Sequence, residues 1–202
     1  MTAAVIPAGM RWFLGLAVVA ACSGRTAARP EDTADVARHF SPEVTGVMRG
    51  AGKDFPIVAW LSGWIASQAP DGAVPSCWTP LRAAIRSAYQ LELPSRTSYF
   101  LLEGALPQVE VERCLTAALA PMATVRVDHD GPLVSFDAGP LGVAYAAWQG
   151  SVVIVGTRAQ VTAGLRGTLP GDAGRWRERL ASLPAAPMAM WRSDALVENL
   201  FG

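Results

Sequence analysis

The chain is poor in the side chains that most enzymes use to move protons. Its 202 residues include two histidines, His39 and His129, and a single lysine, Lys53. Any Ser/His/Asp arrangement must therefore use one of two rings. A Ser-x-x-Lys nucleophile is excluded outright, because Gly50 stands three residues before Lys53. The elbow Gly-x-Ser-x-Gly, the zinc motif His-Glu-x-x-His, the fingerprint Gly-x-Gly-x-x-Gly and the P-loop are all missing, so no cofactor is expected. Charge of one sign is not in excess either: 17 basic residues balance 17 acidic ones. Nucleic-acid binding needs a basic surplus on one face, so nucleic acid is not an expected partner. Three cysteines without a Cys-x-x-Cys pair give no redox motif.

What the chain does have is apolar mass. It is 51% hydrophobic and 17% charged, enough to bury the core of one domain and too apolar for a disordered segment. Its basic residues, Lys53 apart, are all arginine, which with the alanine and proline load speaks of codon usage.

The first 22 residues carry an address. Trp12 to Ala21 (WFLGLAVVAA) form an apolar run behind Arg11 and end in small residues at Cys22, the layout of a secretory signal. As a helix the run would be about 15 Å long, roughly half of a bilayer core, so it does not read as a spanning helix. Val19-Ala20-Ala21-Cys22 resembles the bacterial lipobox, an aliphatic residue and two small ones before a cysteine. The resemblance implies cleavage before Cys22 and acylation of its thiol, with residues 1–21 lost and one positive charge, Arg11, lost with them. Two or more acyl chains anchor stably where one does not. Ser23 after the cysteine favours the outer membrane by the sorting pattern this resemblance brings. The polar stretch to Asp35 reads as a tether, residues 22–35 in all, and residues 36–202 as a single domain. That body resembles uncharacterised envelope lipoproteins of myxobacterial type, a resemblance that brings no function with it.

Periodicity supplies the elements. Glu43–Arg49 reads as extended. Ile57, Trp60, Leu61, Trp64 and Ile65 recur with helical period, predicting a helix over Phe55–Gln68 before a turn at Pro70-Asp71-Gly72. From Arg86 the period becomes two, and Tyr99–Glu103 follows the turn Pro94-Ser95-Arg96, which reads as a hairpin. Pro107 suits the first turn of a helix whose inward face carries Val111, Cys114, Leu115, Ala118 and Leu119. Four strands follow, Thr124–His129, Leu133–Asp137, Val143–Trp148 and Ser151–Val155. Their turns, Asp130-Gly131, Gly139-Pro140 and Gln149-Gly150, are short enough for an antiparallel meander. The last two strands are apolar on both alternating faces and should be covered on both sides. Thr157 can cap a helix that Gly167 ends, and Asp172 a second carrying Trp176, Leu180 and Leu183. The expected class is α+β, an antiparallel β-meander sheet packed with several helices.

A weak echo links Phe40-Ser41-Pro42-Glu43-Val44, leading to Val47-Met48-Arg49, with Leu183-Pro184-Ala185-Ala186, leading to Ala189-Met190-Trp191-Arg192. It is the pattern an incomplete internal duplication would leave, in which case the apolar end Leu196 to Phe201 is truncated.

Few residues suggest chemistry. Cys77 and Cys114 are an even pair after lipidation and point to a disulfide in an oxidising compartment; two inert buried thiols are the alternative. Such a bond, closing a loop of about 38 residues, would stabilise the fold by roughly 4 kcal/mol. Asp128-His129-Asp130-Gly131 reads as a hairpin turn ahead of a general base or a calcium loop, whose remaining ligands are absent; no metal is expected. Glu110 and Glu112 fall on a polar helix face, and Glu92 and Glu103 on strands. Seven tryptophans are mostly placed for packing. Trp78 and Trp191 lie nearer expected loops, where an exposed aromatic marks a binding surface. The expected function is a lipid-anchored, non-catalytic binding domain at the periplasmic face of the outer membrane, with an envelope protein or the cell wall as partner. A cell-envelope hydrolase without a recognisable motif is the alternative.

Overall fold

The structure is a computed structural model that describes residues 36–192 apart from 53–54, 57, 60–61, 64–65, 67–74, 96, 122, 168–169 and 184–187. The signal, the tether and the apolar end 196–201 lie outside the described residues. So do the turn at 70–72 and the inward face expected of the helix over 55–68. Of that helix, Pro56, Val58, Ala59, Ser62, Gly63 and Ala66 are described and helical.

Eight strands make one sheet: β1 Gly46–Ala51, β2 Ile85–Glu92, β3 Ser98–Gly104, β4 Arg126–Asp130, β5 Leu133–Asp137, β6 Val143–Gln149, β7 Val152–Gly156 and β8 Met188–Arg192. The spatial order is β4-β5-β6-β7-β3-β2-β1-β8, and every neighbouring pair is antiparallel. The α+β class is as the periodicity implies. β4 to β7 form the meander, and β2 with β3 the hairpin. Gly131 (φ 60°) and Gly150 (φ 61°) take the left-handed backbone that their tight turns need. β4 runs on to Asp130, which pairs with Leu133, so the turn starts one residue later than expected.

Four helices are labelled here: α1 Trp78–Ala84, α2 Gln108–Leu119, α3 Arg158–Arg166 and α4 Pro170–Ser182. They lie in two layers, and alternation along the central strands shows why. Phe100 and Leu102 of β3 and Val153 of β7 face α1, α2 and the segment with Phe55 and Val58. Tyr99, Leu101 and Ile154 face α3, α4 and the 3-10 turn Ala37–His39. A strand buried on both sides is apolar at successive residues, and the run Val152-Val153-Ile154 is buried throughout. Each fully buried Leu or Phe contributes about 1.5–3 kcal/mol.

Helix ends follow local chemistry. Thr157 accepts from the Gln160 N–H while Gln160 Oε1 accepts from the Thr157 N–H, a reciprocal capping box, and Gly167 closes α3 at φ 72°. α4 starts earlier than expected, at Pro170. Asp172 therefore sits in its first turn instead of capping it and pairs with Arg175 at 2.9 Å. Pro107 precedes α2 instead of entering it, with its carbonyl accepting from Val111. Cys77 and Cys114 form a disulfide, Cα to Cα 5.6 Å, that ties the start of α1 to the buried face of α2.

The two echoing segments end in neighbouring strands. β8 pairs with β1 so that Val47 opposes Trp191, Met48 opposes Met190 and Arg49 opposes Ala189. That register relates them by a local two-fold axis through the Met48 and Met190 pair.

Candidate functional site

Helix cover stops short on one side of the sheet. α3 lies over β7 and β6, and α4 continues toward β1 and β8, where Arg49 Nη1 donates to the Leu180 carbonyl. On that same face no described helix covers β4, the outer part of β5 or the start of β6. Coverage on both sides, expected of β6, holds at Ala146 and Ala147, whereas Val143 is 49% exposed. The apolar pattern there had no helix to meet.

Register lines up what the open face carries. Asp128 pairs with Ser135 and Ser135 with Tyr145, so these three side chains stand in a row across three strands. Neighbouring strands lie about 4.8 Å apart, which makes the row roughly 10 Å long. Asp130, two residues along from Asp128, shares its face and forms an ion pair with Arg158, the first residue of α3. Together with Leu133 and His129 these residues line a cleft of about 410 Å³. Asp128 Oδ1 accepts the His129 N–H at 3.0 Å. Asp130 is 67% exposed, and an ion pair so wet is worth about 0–1 kcal/mol.

The residues singled out in the sequence are mostly elsewhere. The ring of His129 belongs to the other face, with Nε2 3.5 Å from Glu112 Oε2 and Nδ1 3.4 Å from Gln108 Nε2, and it ties β4 to α2. His39 is buried: Nδ1 lies 3.3 Å from the Gly164 carbonyl and Nε2 accepts from Arg38 Nε at 3.2 Å. Beside it the Tyr99 hydroxyl accepts from Ser41 N–H at 2.8 Å and donates to the His39 carbonyl at 3.2 Å. Burial pushes this phenol well above the ordinary tyrosine range, and the Ser41 bond offsets part of the shift. Glu103 is buried and receives Arg86 Nη2 at 3.0 Å.

The exposed aromatic patch expected at Trp78 and Trp191 is not found. Trp78 is 8% exposed in the α1 and α2 layer, and its indole N–H donates to Ser62 Oγ at 2.8 Å. Trp191 is partly buried on the opposite layer, edge-on to Trp176 at 5.3 Å, with the Arg179 guanidinium 4.2 Å from its ring centroid. Both expectations assumed loops, whereas Trp78 opens a helix and Trp191 lies in a strand. Ser135, Tyr145 and Arg158 drew no attention in the sequence. The signal for them is cross-strand register, which a single strand does not display.

A second, shallower hollow of about 360 Å³ lies beside the disulfide, lined by Pro75, Ser76, Cys77, Arg113 and Ala117. Among the described residues no group of three or more His, Cys, Asp or Glu is placed to hold a metal ion, and no helix is long and apolar enough to cross a membrane. Comparison with family models, curated proteins and solved structures returned no match. The functional reading therefore rests on geometry and on the N-terminal motif.

Proposed function

We propose that the chain is a bacterial envelope lipoprotein, cut before Cys22 and held by lipid on that cysteine, whose domain binds an envelope component without catalysing a reaction. The run Val19-Ala20-Ala21-Cys22 supports the anchor. The Cys77–Cys114 disulfide agrees with an oxidising compartment, and Ser23 favours the periplasmic face of the outer membrane. The observation that carries the binding reading is the uncovered end of the sheet, where polar side chains from three strands and the start of α3 converge on one cleft. A hydrolase working through a pair of carboxyls would need one of them kept protonated by burial. Asp128 and Asp130 are exposed, which favours binding over catalysis.

Labelled fatty acid and fractionation of cells test the anchor. The wild-type chain should take up label and sediment with membranes, and Cys22→Ser should lose both. A Cys22→Ser protein that still sediments and still takes up label overturns it. Crosslinking in intact cells tests binding: capture of an envelope component should fall when Asp128 and Tyr145 are replaced together by Asn and Ala, and capture that does not fall sinks the reading.

A further inference from the structure

We infer that the cleft at the open end of the sheet is a saccharide site that takes a short neutral glycan. The inference rests on the binding reading above and names its ligand class.

A sugar hydroxyl both donates and accepts hydrogen bonds, and the cleft offers both roles side by side. The carboxylates of Asp128 and Asp130 accept, the Arg158 guanidinium donates, and the hydroxyls of Ser135 and Tyr145 do either. Asp128 spends Oδ1 on the His129 N–H, leaving Oδ2 with no protein partner among the described residues. Tyr145 adds an aromatic side chain, the surface against which the C–H face of a pyranose ring packs. The row Asp128, Ser135 and Tyr145 spans roughly 10 Å, which suits a ring or two lying across the strands. A volume of about 410 Å³ falls within the roughly 300–1,000 Å³ of small-ligand sites.

Charge narrows the choice. Two carboxylates against one guanidinium leave the cleft net negative, which works against phosphates and acidic sugars. A cationic ligand gains little, because Arg158 already neutralises Asp130 and would repel it. Only Asp128 remains for the cation, at an exposed position where one such pair is worth about 1 kcal/mol or less. A neutral polyhydroxyl ligand can use both carboxylates, the guanidinium and both hydroxyls, and opposes none of them. The openness of the cleft sets a modest affinity, with a Kd on the order of 1 mM.

Saturation-transfer NMR on the full chain in detergent tests this with four probes: an N-acetylglucosamine trisaccharide, maltotriose, tri-lysine and inorganic phosphate. At least one saccharide should give transfer signal, reduced tenfold or more by Asp128→Asn and by Tyr145→Ala. Arg113→Ala, at the shallow hollow beside the disulfide, should leave it unchanged. Asp128 is exposed on an edge strand, so its variant should keep the wild-type melting temperature even if Tyr145→Ala is destabilised. Absence of saccharide signal at 10-fold the expected Kd, or signal that survives Asp128→Asn, overturns the assignment. So does displacement of the saccharide by tri-lysine or phosphate. If the saccharides fail while capture in cells still depends on Asp128 and Tyr145, the ligand class falls and the binding surface stands.

Discussion

Tyr99 shows how much one hydroxyl can hold in this protein. Fully buried, it accepts the Ser41 N–H and donates to the His39 carbonyl, joining the sheet to the chain that leads into β1. Tyr99→Phe should leave that buried amide unsatisfied and cost about 1–3 kcal/mol in a urea melt. Burial also favours the neutral phenol in the folded chain. Stability from the neutral hydroxyl is fully present below the ordinary tyrosine value of 10.0. Above it the unfolded chain releases its proton while the folded chain keeps it, so stability falls as pH rises. Wild type should therefore lose stability above about pH 10 more steeply than Tyr99→Phe, and parallel alkaline curves would refute the account. Trp176 is the counter-case: it is buried against Phe40 at 5.1 Å and beneath Arg179, yet its indole N–H has no hydrogen-bond partner among the described residues.

Among the elements, α1 and α2 share one buried layer and are also joined by a covalent bond. α1 is only seven residues long, too short to hold its shape in isolation, and the disulfide fastens its start to α2. Replacing Cys77 and Cys114 together by Ala should lower stability by roughly 2–4 kcal/mol, read as a shift of the urea midpoint. Dithiothreitol on the wild type should reproduce the loss, and an unchanged midpoint in both would show that the layer holds without the bond. The edges of the sheet differ in kind. β4 exposes Arg126, Asp128, His129 and Asp130, a charged edge that discourages pairing with another chain. β8 exposes Met188 and Met190 instead. At this scale much was legible in advance: β5 falls at the expected residues, the Thr157 cap and the Gly167 stop were visible in the letters, and Cys114 faces inward as its period implied. The start of α4 was misplaced because Asp172 and Pro170 both suit a helix start, and the proline came first.

For the whole molecule, two helical layers enclose one sheet unequally, and the inequality creates the cleft. Both described core clusters join residues of the sheet to residues of its helical layers. Protein released by Cys22→Ser should melt at the temperature of the lipidated form, and a large drop would mean that the membrane supports the fold. Sequence alone determined what is local: the lipobox resemblance, the strand and helix periods, the caps and turns, and an even cysteine pair. These depend on residues a few positions apart, whose interactions any reader of the chain can count. The tertiary structure decided the rest: that β7 sits beside β3 and β8 beside β1, that Trp78 and Trp176 face inward, and that Asp128, Ser135, Tyr145 and Arg158 share one open surface. Those outcomes come from long-range pairing, in which the chain joins strands about 50 and 140 residues apart to bury apolar faces on both sides. Which face runs out of helix to cover it is a property of the finished packing, and no short stretch of residues encodes it.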